Sequence, residues 1–140
     1  MTWPCPCVAY WVMVTDGVRV LTIRQPWAWA IVHGGKDVEN RSWSTKYRGP
    51  LLIHAGMAFE ADGYETVKRL ASNAPPPPAE LTHGAIIGVV DLVDCVRDFR
   101  SVWAEADQWH WRLRDPRPLN PAVPCAGKLG LWRPPPSIAW

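Results

Sequence analysis

One segment constrains this chain more than any other, the run VLTIRQPWAWAIVHGGKDVENR at residues 20–41. A strand-like apolar stretch meets Arg24-Gln25-Pro26, and a short tryptophan-bearing helix follows and stops at a glycine pair. Lys36, Glu39 and Arg41 come directly after that stop. A plain hydrophobic core does not require a cation, a carboxylate and a second cation at this spacing. The segment therefore predicts a binding site built on a helix, a turn and a strand.

The length and the net charge limit the class of protein to which this chain can belong. The chain has 140 residues, which suits one domain with its own hydrophobic core. Apolar residues make up 48% and charged residues 20%, as in ordinary globular proteins. The net charge of +2 excludes a protein that coats duplex DNA by charge alone, because such proteins are more basic. A local basic groove remains compatible with this composition.

Cysteine and hydropathy patterns bear on metal binding and on the compartment. The cysteines form no C-x-x-C pair and the histidines are scattered, so we expect no metal site and no cofactor. Without a disulfide framework or an export signal, the expected location is cytoplasmic. The apolar run at 11–14 is too short to span a membrane, so no membrane partner is expected. We interpret residues 1–17 as an N-terminal extension, 18–133 as the domain and 134–140 as a C-terminal tail.

Periodicity and turn residues predict a mixture of strands and helices. Strands are expected at 18–23, 37–43, 51–55, 85–96, 109–113 and 127–132, the one at 85–96 being the longest and bulged at Gly88. Helices are expected from Pro26 to a left-handed glycine stop, at 58–71 and at 99–107. Proline clusters at 75–78, 115–118 and 134–136 are expected to be loops or extended spacers. The arrangement favours an α+β fold with a small curved sheet or barrel.

Tryptophan is the most over-represented residue type, with 10 in the chain. Some of these rings belong to the core, and others could form a stacking surface for bases. Trp27 and Trp29 point to different faces of the predicted helix, so at most one is core while the other faces a cleft. Trp43 suits stacking and core packing equally well.

The charged groups around the glycine stop are the candidate ligand-binding groups. Arg24, Lys36 and Arg41 suit phosphate or a polarised carbonyl. Glu39 suits hydrogen bonds from the Watson–Crick edge of a base, or the role of a general base. Strand alternation separates Lys36 from Glu39, so the two would meet only if the turn persists through Asp37. The alternative is an internal ion pair of Glu39 with Arg41 or Arg24.

Other residues complete the candidate set. Gln25 bonds a base edge or caps the helix, with capping favoured, and His54 is favoured as a core histidine over a catalytic one. A basic rim or a plain solvated face explains His110, Arg112, Arg114, Arg117 and Lys128 equally well. The candidate ligand-binding residues are therefore Arg24, Gln25, Pro26, Trp27, Lys36, Glu39, Arg41, Trp43, His54 and Lys128. Nearby hydroxyls are not tied by any motif to a base, so catalysis is left open, with Lys36 and Glu39 as its candidates.

Five motifs, in order along the chain, resemble those of the ASCH domain family. They are R-Q-P-W-A at 24–28, G-G-K-D-V-E-N-R at 34–41, G-P-L-L-I-H-A at 49–55, G-A-I-I-G-V-V-D-L at 84–92 and G-K-L-G-L-W at 127–132. The resemblance covers residues 18–132, and G-x-K-x-x-E-x-R at 34–41 is its most specific part. It implies a PUA-like small mixed β-barrel of five to six strands flanked by two to three helices, with a cleft beside the first helix.

The resemblance also carries expectations about function. The wider superfamily includes RNA-binding modules and readers of modified bases, and one group of relatives hydrolyses N4-acetylcytidine with a Lys, a Thr three residues later and a Glu further on. Lys36 stands at the lysine position, but Glu39 stands where that threonine would be. We therefore expect a module that binds RNA or single-stranded nucleic acid, including a modified nucleotide, in the cleft. The alternative is a small hydrolase that acts on RNA or on a modified cytidine.

Overall fold

Six strands form one mixed sheet in the computed structural model, which describes residues 17–140. The strands are β1 (Arg19–Gln25), β2 (Val38–Arg41), β3 (Gly49–Phe59), β4 (Ala85–Val96), β5 (Trp109–Pro124) and β6 (Leu131–Trp132). The helices are α1 (Trp27–His33) and α2 (Ala61–Leu70), with a short 3-10 turn at Pro78–Glu80. The strand order is β2-β5-β4-β3-β1-β6, in which β1 and β3 are parallel and the other neighbours are antiparallel.

The α+β fold class is confirmed, with six strands and two α-helices of seven and ten residues within 18–140. The sheet is not closed into a barrel, however. Among the described residues β2 pairs only with β5 and β6 only with β1, so both remain edges. These two edge strands are short, with four and two residues.

Both faces of the central strands are buried, which explains their continuous apolar sequences. Leu21, Ile53 and neighbouring side chains pack against α1 on one face. Val20 and Leu52, one position away on the same strands, belong to a second cluster on the other face. Alternate residues of a strand therefore divide between the two clusters.

The first helix and its glycine stop follow the sequence closely. Pro26 is the residue before α1 rather than its first residue. The helix ends at His33, and Gly35 adopts a left-handed φ of 81°, a conformation that favours glycine. This turn sends the chain back along α1 into β2, which brings the charged residues after the glycine pair beside the helix.

Several predicted boundaries were wrong. Strand β3 extends to Phe59, so α2 begins three residues later than predicted. The proline cluster at 115–118 lies within β5, which at 16 residues is longer than β4. Beyond Leu113, β5 pairs only with β4 among residues 17–140, and an edge tolerates proline because no second ladder needs the missing N–H. The bulge predicted at Gly88 is confirmed by register shifts on both sides of β4.

The helix predicted at 99–107 is also wrong. Residues 97–108, here called the 97–108 segment, form turns and bends between β4 and β5. Asp107 has a positive φ of 63°, which no α-helix contains. The final strand is likewise short, since only Leu131–Trp132 of the predicted 127–132 pairs in the sheet.

The chain ends bear on the predicted domain limits. Residues 1–16 of the proposed N-terminal extension lie outside the described residues. In the proposed C-terminal tail, Ile138 and Trp140 pack against the cluster that contains Val20. No helix within residues 17–140 is long and apolar enough to cross a membrane.

Candidate functional site

A cavity of about 590 Å³ opens beside α1, between that helix, β2, α2 and the 97–108 segment. This volume lies in the range of small-molecule sites, about 300–1,000 Å³. Six of the ten candidate residues line it: Arg24, Trp27, Lys36, Glu39, Arg41 and Trp43. The sequence motif after the glycine stop therefore converges on one concave surface.

The charged centre of the cavity is a carboxylate held between two cations. Glu39 Oε1 lies 3.3 Å from Lys36 Nζ, and Glu39 Oε2 lies 2.9 Å from Arg41 Nε. Lys36 also donates to the Val38 carbonyl, and Arg41 Nη2 donates to the Thr22 carbonyl at 3.1 Å. The side chains of Lys36 and Glu39 are 3% and 9% exposed, so this pair is screened by water far less than a surface pair. The three groups together carry one net positive charge.

Local backbone geometry explains why Lys36 reaches Glu39. The Lys36 N–H donates to the Ala30 carbonyl at 3.0 Å, which continues the turn beyond the end of α1. Strand β2 begins only at Val38, so Lys36 precedes the alternating pattern of the strand. From the sequence, Lys36 and Glu39 were expected to meet only if the turn persisted through Asp37, and this condition is met. The internal Glu39–Arg41 ion pair, which was the alternative to a ligand site, is also present.

Aromatic rings form much of the remaining wall. Lys36 Nζ lies 5.6 Å from the centroid of the Trp27 ring, within cation–π distance. The Trp43 ring packs edge-on against Trp111 at 4.8 Å and is 37% exposed. Trp103 is 7% exposed and also lines the cavity. Three tryptophans therefore line the same cavity as the charged centre, and Trp27 is the one in contact with it.

The 97–108 segment is fastened to the cavity by side chains rather than by regular structure. Asn40 Nδ2 donates to the Trp103 carbonyl at 2.9 Å, and Asn40 Oδ1 accepts from the Glu105 N–H at 3.0 Å. His110 Nδ1 accepts from the Phe99 N–H at 3.1 Å, so its Nε2–H donates to the Glu105 carbonyl at 2.7 Å. These contacts hold Trp103 in the cavity wall.

The mouth of the cavity carries a second ion pair. Arg24 Nη1 lies 3.3 Å from Glu60 Oε2, with side chains 66% and 40% exposed. Arg24 therefore pairs with Glu60 rather than with Glu39. Such an exposed pair is worth little and opens readily. Its guanidinium is consequently available at the rim.

Comparison with known protein families decides where this chain belongs. The family model described as the ASCH domain matches residues 21–121, well over half of the chain. This chain belongs to the ASCH domain family. The match begins in β1, ends within β5 and includes all six candidate residues that line the cavity.

Two curated relatives place the ASCH domain in a larger setting. Both are named Activating signal cointegrator 1, and the human protein is 30% identical over 84% of this chain and 22% of its own length. The mouse protein is 29% identical over the same shares. The chain therefore spans about a fifth of the length of the curated relatives that it matches.

Two ASCH motif residues support the site without lining it. Gln25 Oε1 accepts from the Trp29 N–H at 2.9 Å in the first turn of α1, and Gln25 Nε2 donates to the Thr82 carbonyl at 2.8 Å. Gln25 is 1% exposed, and Pro26 is buried beside it. The capping role expected of Gln25 is therefore seen, and its amide has no free side toward the cavity. Trp29 stacks on His33 at 5.9 Å instead of lining the cavity.

The structure places the other candidates of this ASCH domain away from the cavity. His54 is buried, with Nε2 2.8 Å from the Cys125 carbonyl and no hydrogen-bond partner for Nδ1 in the part of the chain that the structure describes. Lys128 is exposed in the loop before β6 and does not line the cavity. The basic residues of β5 do not form one rim, because Arg112 pairs with Asp94 while His110 is buried.

Some wall residues of the ASCH cavity were missed by sequence reasoning. Asn40 lies inside the recognised motif, and its short amide could have been read as a clamp. Trp103 lies more than 60 positions from Asn40, and only the tertiary fold brings it there. The remaining additions are Thr22, Ile23, Ser42, Glu60, Thr66, Leu70, Val102, Ala104, Glu105 and Gln108.

Two titratable groups that lie away from the cavity have shifted pKa values. Partial burial lowers the pKa of His33 below its ordinary value of 6.5. Burial raises the pKa of the Cys125 thiol above 9.0, while a backbone hydrogen bond involving Ile86 acts in the opposite direction. Neither side chain lines the cavity, so neither bears on its ligand.

Proposed function

We propose that the cavity beside α1 binds one nucleotide of RNA, with its base between the tryptophans. The supporting observation is the convergence of Lys36, Glu39 and Arg41 with three indole rings on one concave surface. Cations attract the phosphate backbone, and base–aromatic stacking contributes about 1–3 kcal/mol per base. Membership of the ASCH domain family agrees with a role in nucleic-acid binding.

The modest net charge favours a single-nucleotide pocket over a long backbone groove. Two arginines of β5 are neutralised, since Arg117 pairs with Asp91 and Asp115, and Arg112 pairs with Asp94. In contrast, the charged centre of Lys36, Glu39 and Arg41 retains one net positive charge. Affinity should therefore be carried by the pocket, and its dependence on salt should be shallow.

Fluorescence anisotropy of a short labelled single-stranded RNA tests this proposal. We expect Lys36→Met to weaken binding about tenfold or more, because it removes a desolvated cation at the charged centre. Lys68→Met is the matched control, since Lys68 forms an exposed pair with Glu65 and does not line the cavity. No binding by the unaltered chain, or equal binding by both variants, would contradict the proposal.

Hydrolysis of RNA or of a modified cytidine is the second candidate. It is favoured by one observation, the contact of Lys36 and Glu39 on a shared cavity. Within residues 17–140, however, both oxygens of Glu39 contact cations and neither contacts a hydroxyl, which favours recognition. Product analysis with labelled RNA and N4-acetylcytidine separates the two, because turnover lost in Glu39→Gln would establish catalysis.

The cytoplasmic location expected from the sequence stays a prediction.

A further inference from the structure

We propose that the cavity selects guanine, with Glu39 reading its Watson–Crick edge; this inference rests on the proposed nucleotide-binding function. A carboxylate is an unusual group in a pocket for a polyanion, because it repels phosphate. Glu39 is nevertheless buried at the centre of the cavity and held there by two cations. Such a group is explained if its ligand presents N–H donors to it.

Glu39 has acceptor capacity left for a ligand. A carboxylate offers about four lone-pair sites, two on each oxygen. Within residues 17–140, Oε1 accepts one hydrogen bond from Lys36 and Oε2 accepts one from Arg41. One site on each oxygen therefore remains, and the pair of oxygens can receive two parallel N–H donors.

The two cations have donor capacity left beside that carboxylate. A lysine ammonium has three N–H donors, and those of Lys36 contact only Val38 and Glu39 within the described chain. Arg41 uses Nε for Glu39 and Nη2 for the Thr22 carbonyl, which leaves Nη1 without a protein partner there. The centre thus presents two acceptors flanked by donors.

Among the four RNA bases this pattern matches guanine. Guanine presents adjacent N–H donors at N1 and N2, followed by the acceptor O6. Uracil has a single donor between two carbonyls, while adenine and cytosine each have one amine next to a ring acceptor. In those three bases at least one acceptor would face the Glu39 carboxylate, which costs desolvation without a hydrogen bond. Lys36 or Arg41 would donate to O6 of guanine.

The tryptophans hold the ring but do not choose it. Stacking tolerates every base, because each has a π-face. Trp27 lies against Lys36, and Trp43 packs edge-on against Trp111. Each indole offers a base at most one N–H donor, which by itself does not match the donor and acceptor pattern of one purine. Selectivity must therefore come from Glu39 and its cations.

A competition experiment with mononucleotides tests guanine selection. The competitors of the labelled RNA for the unaltered chain are GMP, IMP, AMP, CMP, UMP and 1-methyl-GMP, each titrated separately. IMP lacks the N2 amine and 1-methyl-GMP lacks the N1 donor, so each should bind roughly tenfold to a hundredfold more weakly than GMP. Glu39→Gln should abolish the preference for GMP over IMP, whereas Glu65→Gln, an exposed residue of α2, should retain it.

The outcomes separate this inference from the proposed function. Equal displacement by GMP, IMP and AMP would overturn guanine selection and leave RNA binding standing. Absence of binding to RNA and to every nucleotide would overturn both. The comparison of GMP with IMP and 1-methyl-GMP uses the unaltered chain, so it gives a decision even where Glu39→Gln fails to fold.

Discussion

Lys36 and Glu39 form a buried ion pair, 3.3 Å from Nζ to Oε1, at the start of an edge strand. The same chain contains an exposed pair of the same chemistry and spacing, Lys68 with Glu65 at 3.5 Å on α2. In each pair the two residues are three positions apart in sequence, but the Lys36–Glu39 pair is desolvated and the Lys68–Glu65 pair is exposed to water. This contrast allows the effect of burial to be measured within one protein.

Removing the buried cation should destabilise the fold. Lys36→Met keeps the apolar stem but leaves Glu39 with one partner fewer, and we expect the free energy of unfolding to fall by about 2–3 kcal/mol. Lys68→Met should cost less than about 1 kcal/mol, because water already solvates that pair. Urea unfolding followed by circular dichroism measures both. Equal costs would show that Lys36 is not desolvated.

The clamp at Asn40 should control the 97–108 segment. Asn40→Ala removes both hydrogen bonds, to the Trp103 carbonyl and from the Glu105 N–H, so the segment should open locally. Hydrogen exchange should quicken about tenfold or more at the Glu105 amide, and nucleotide affinity should fall with the loss of Trp103 from the wall. Asn73→Ala, which removes an exposed contact to the His33 carbonyl, should change neither. Unchanged exchange in Asn40→Ala would contradict the clamp.

Gly63 of α2 should resist substitution, because the Trp27 ring of the cavity wall packs against it. A Cβ at Gly63 would lie 2.7–2.8 Å from two carbons of the Trp27 ring, closer than real contacts allow. Gly63→Ala should therefore lower stability by about 1–3 kcal/mol and weaken nucleotide binding, although alanine is the better helix former.

The reason for that effect can be tested by relieving the contact. Trp27→Phe shortens the ring, so Gly63→Ala should be neutral or stabilising in that background. Thermal unfolding of the two single variants and the double variant forms a mutant cycle. Additive effects would show that the ring is not what excludes the side chain.

The free energy of unfolding should fall as the pH drops, partly because His33 is protonated more readily in the unfolded chain. The folded pKa of His33 lies below its ordinary value of 6.5, so the unfolded chain binds a proton first as the pH drops. The stabilisation is complete above pH 6.5 and is lost as the pH falls below it. His33→Gln should therefore show a shallower decline in unfolding free energy between about pH 7.5 and 5.5. An unchanged slope in urea titrations would rule out this contribution.

Local sequence anticipated the charged centre because its members are close together in the chain. Lys36, Glu39 and Arg41 follow one glycine stop, and a single turn brings them into contact. Whether that turn would persist depended on the Lys36 N–H reaching the Ala30 carbonyl, a detail of backbone geometry. From the sequence alone, Lys36 could therefore either meet Glu39 or point to the opposite face of the strand.

Burial of polar side chains was harder to anticipate. In the strand expected at 109–113, alternation puts Trp109, Trp111 and Leu113 on one face, and the structure packs these three residues in one cluster. The same pattern predicted His110 on an outward face, yet it is 4% exposed because the 97–108 segment folds over it. A segment without periodicity, held by contacts to Asn40 and His110, leaves no signal in its own sequence.

The family, the α+β class and the group of charges after the glycine stop could be predicted from the sequence, since each depends on patterns within short stretches of the chain. The open sheet and the place of Trp103 in the cavity wall became known only from the fold. It also separated Lys36, which lies in the cavity, from His54 and Lys128, which do not. These outcomes depend on contacts between distant segments, whose free energy comes from packing and desolvation rather than from local propensity.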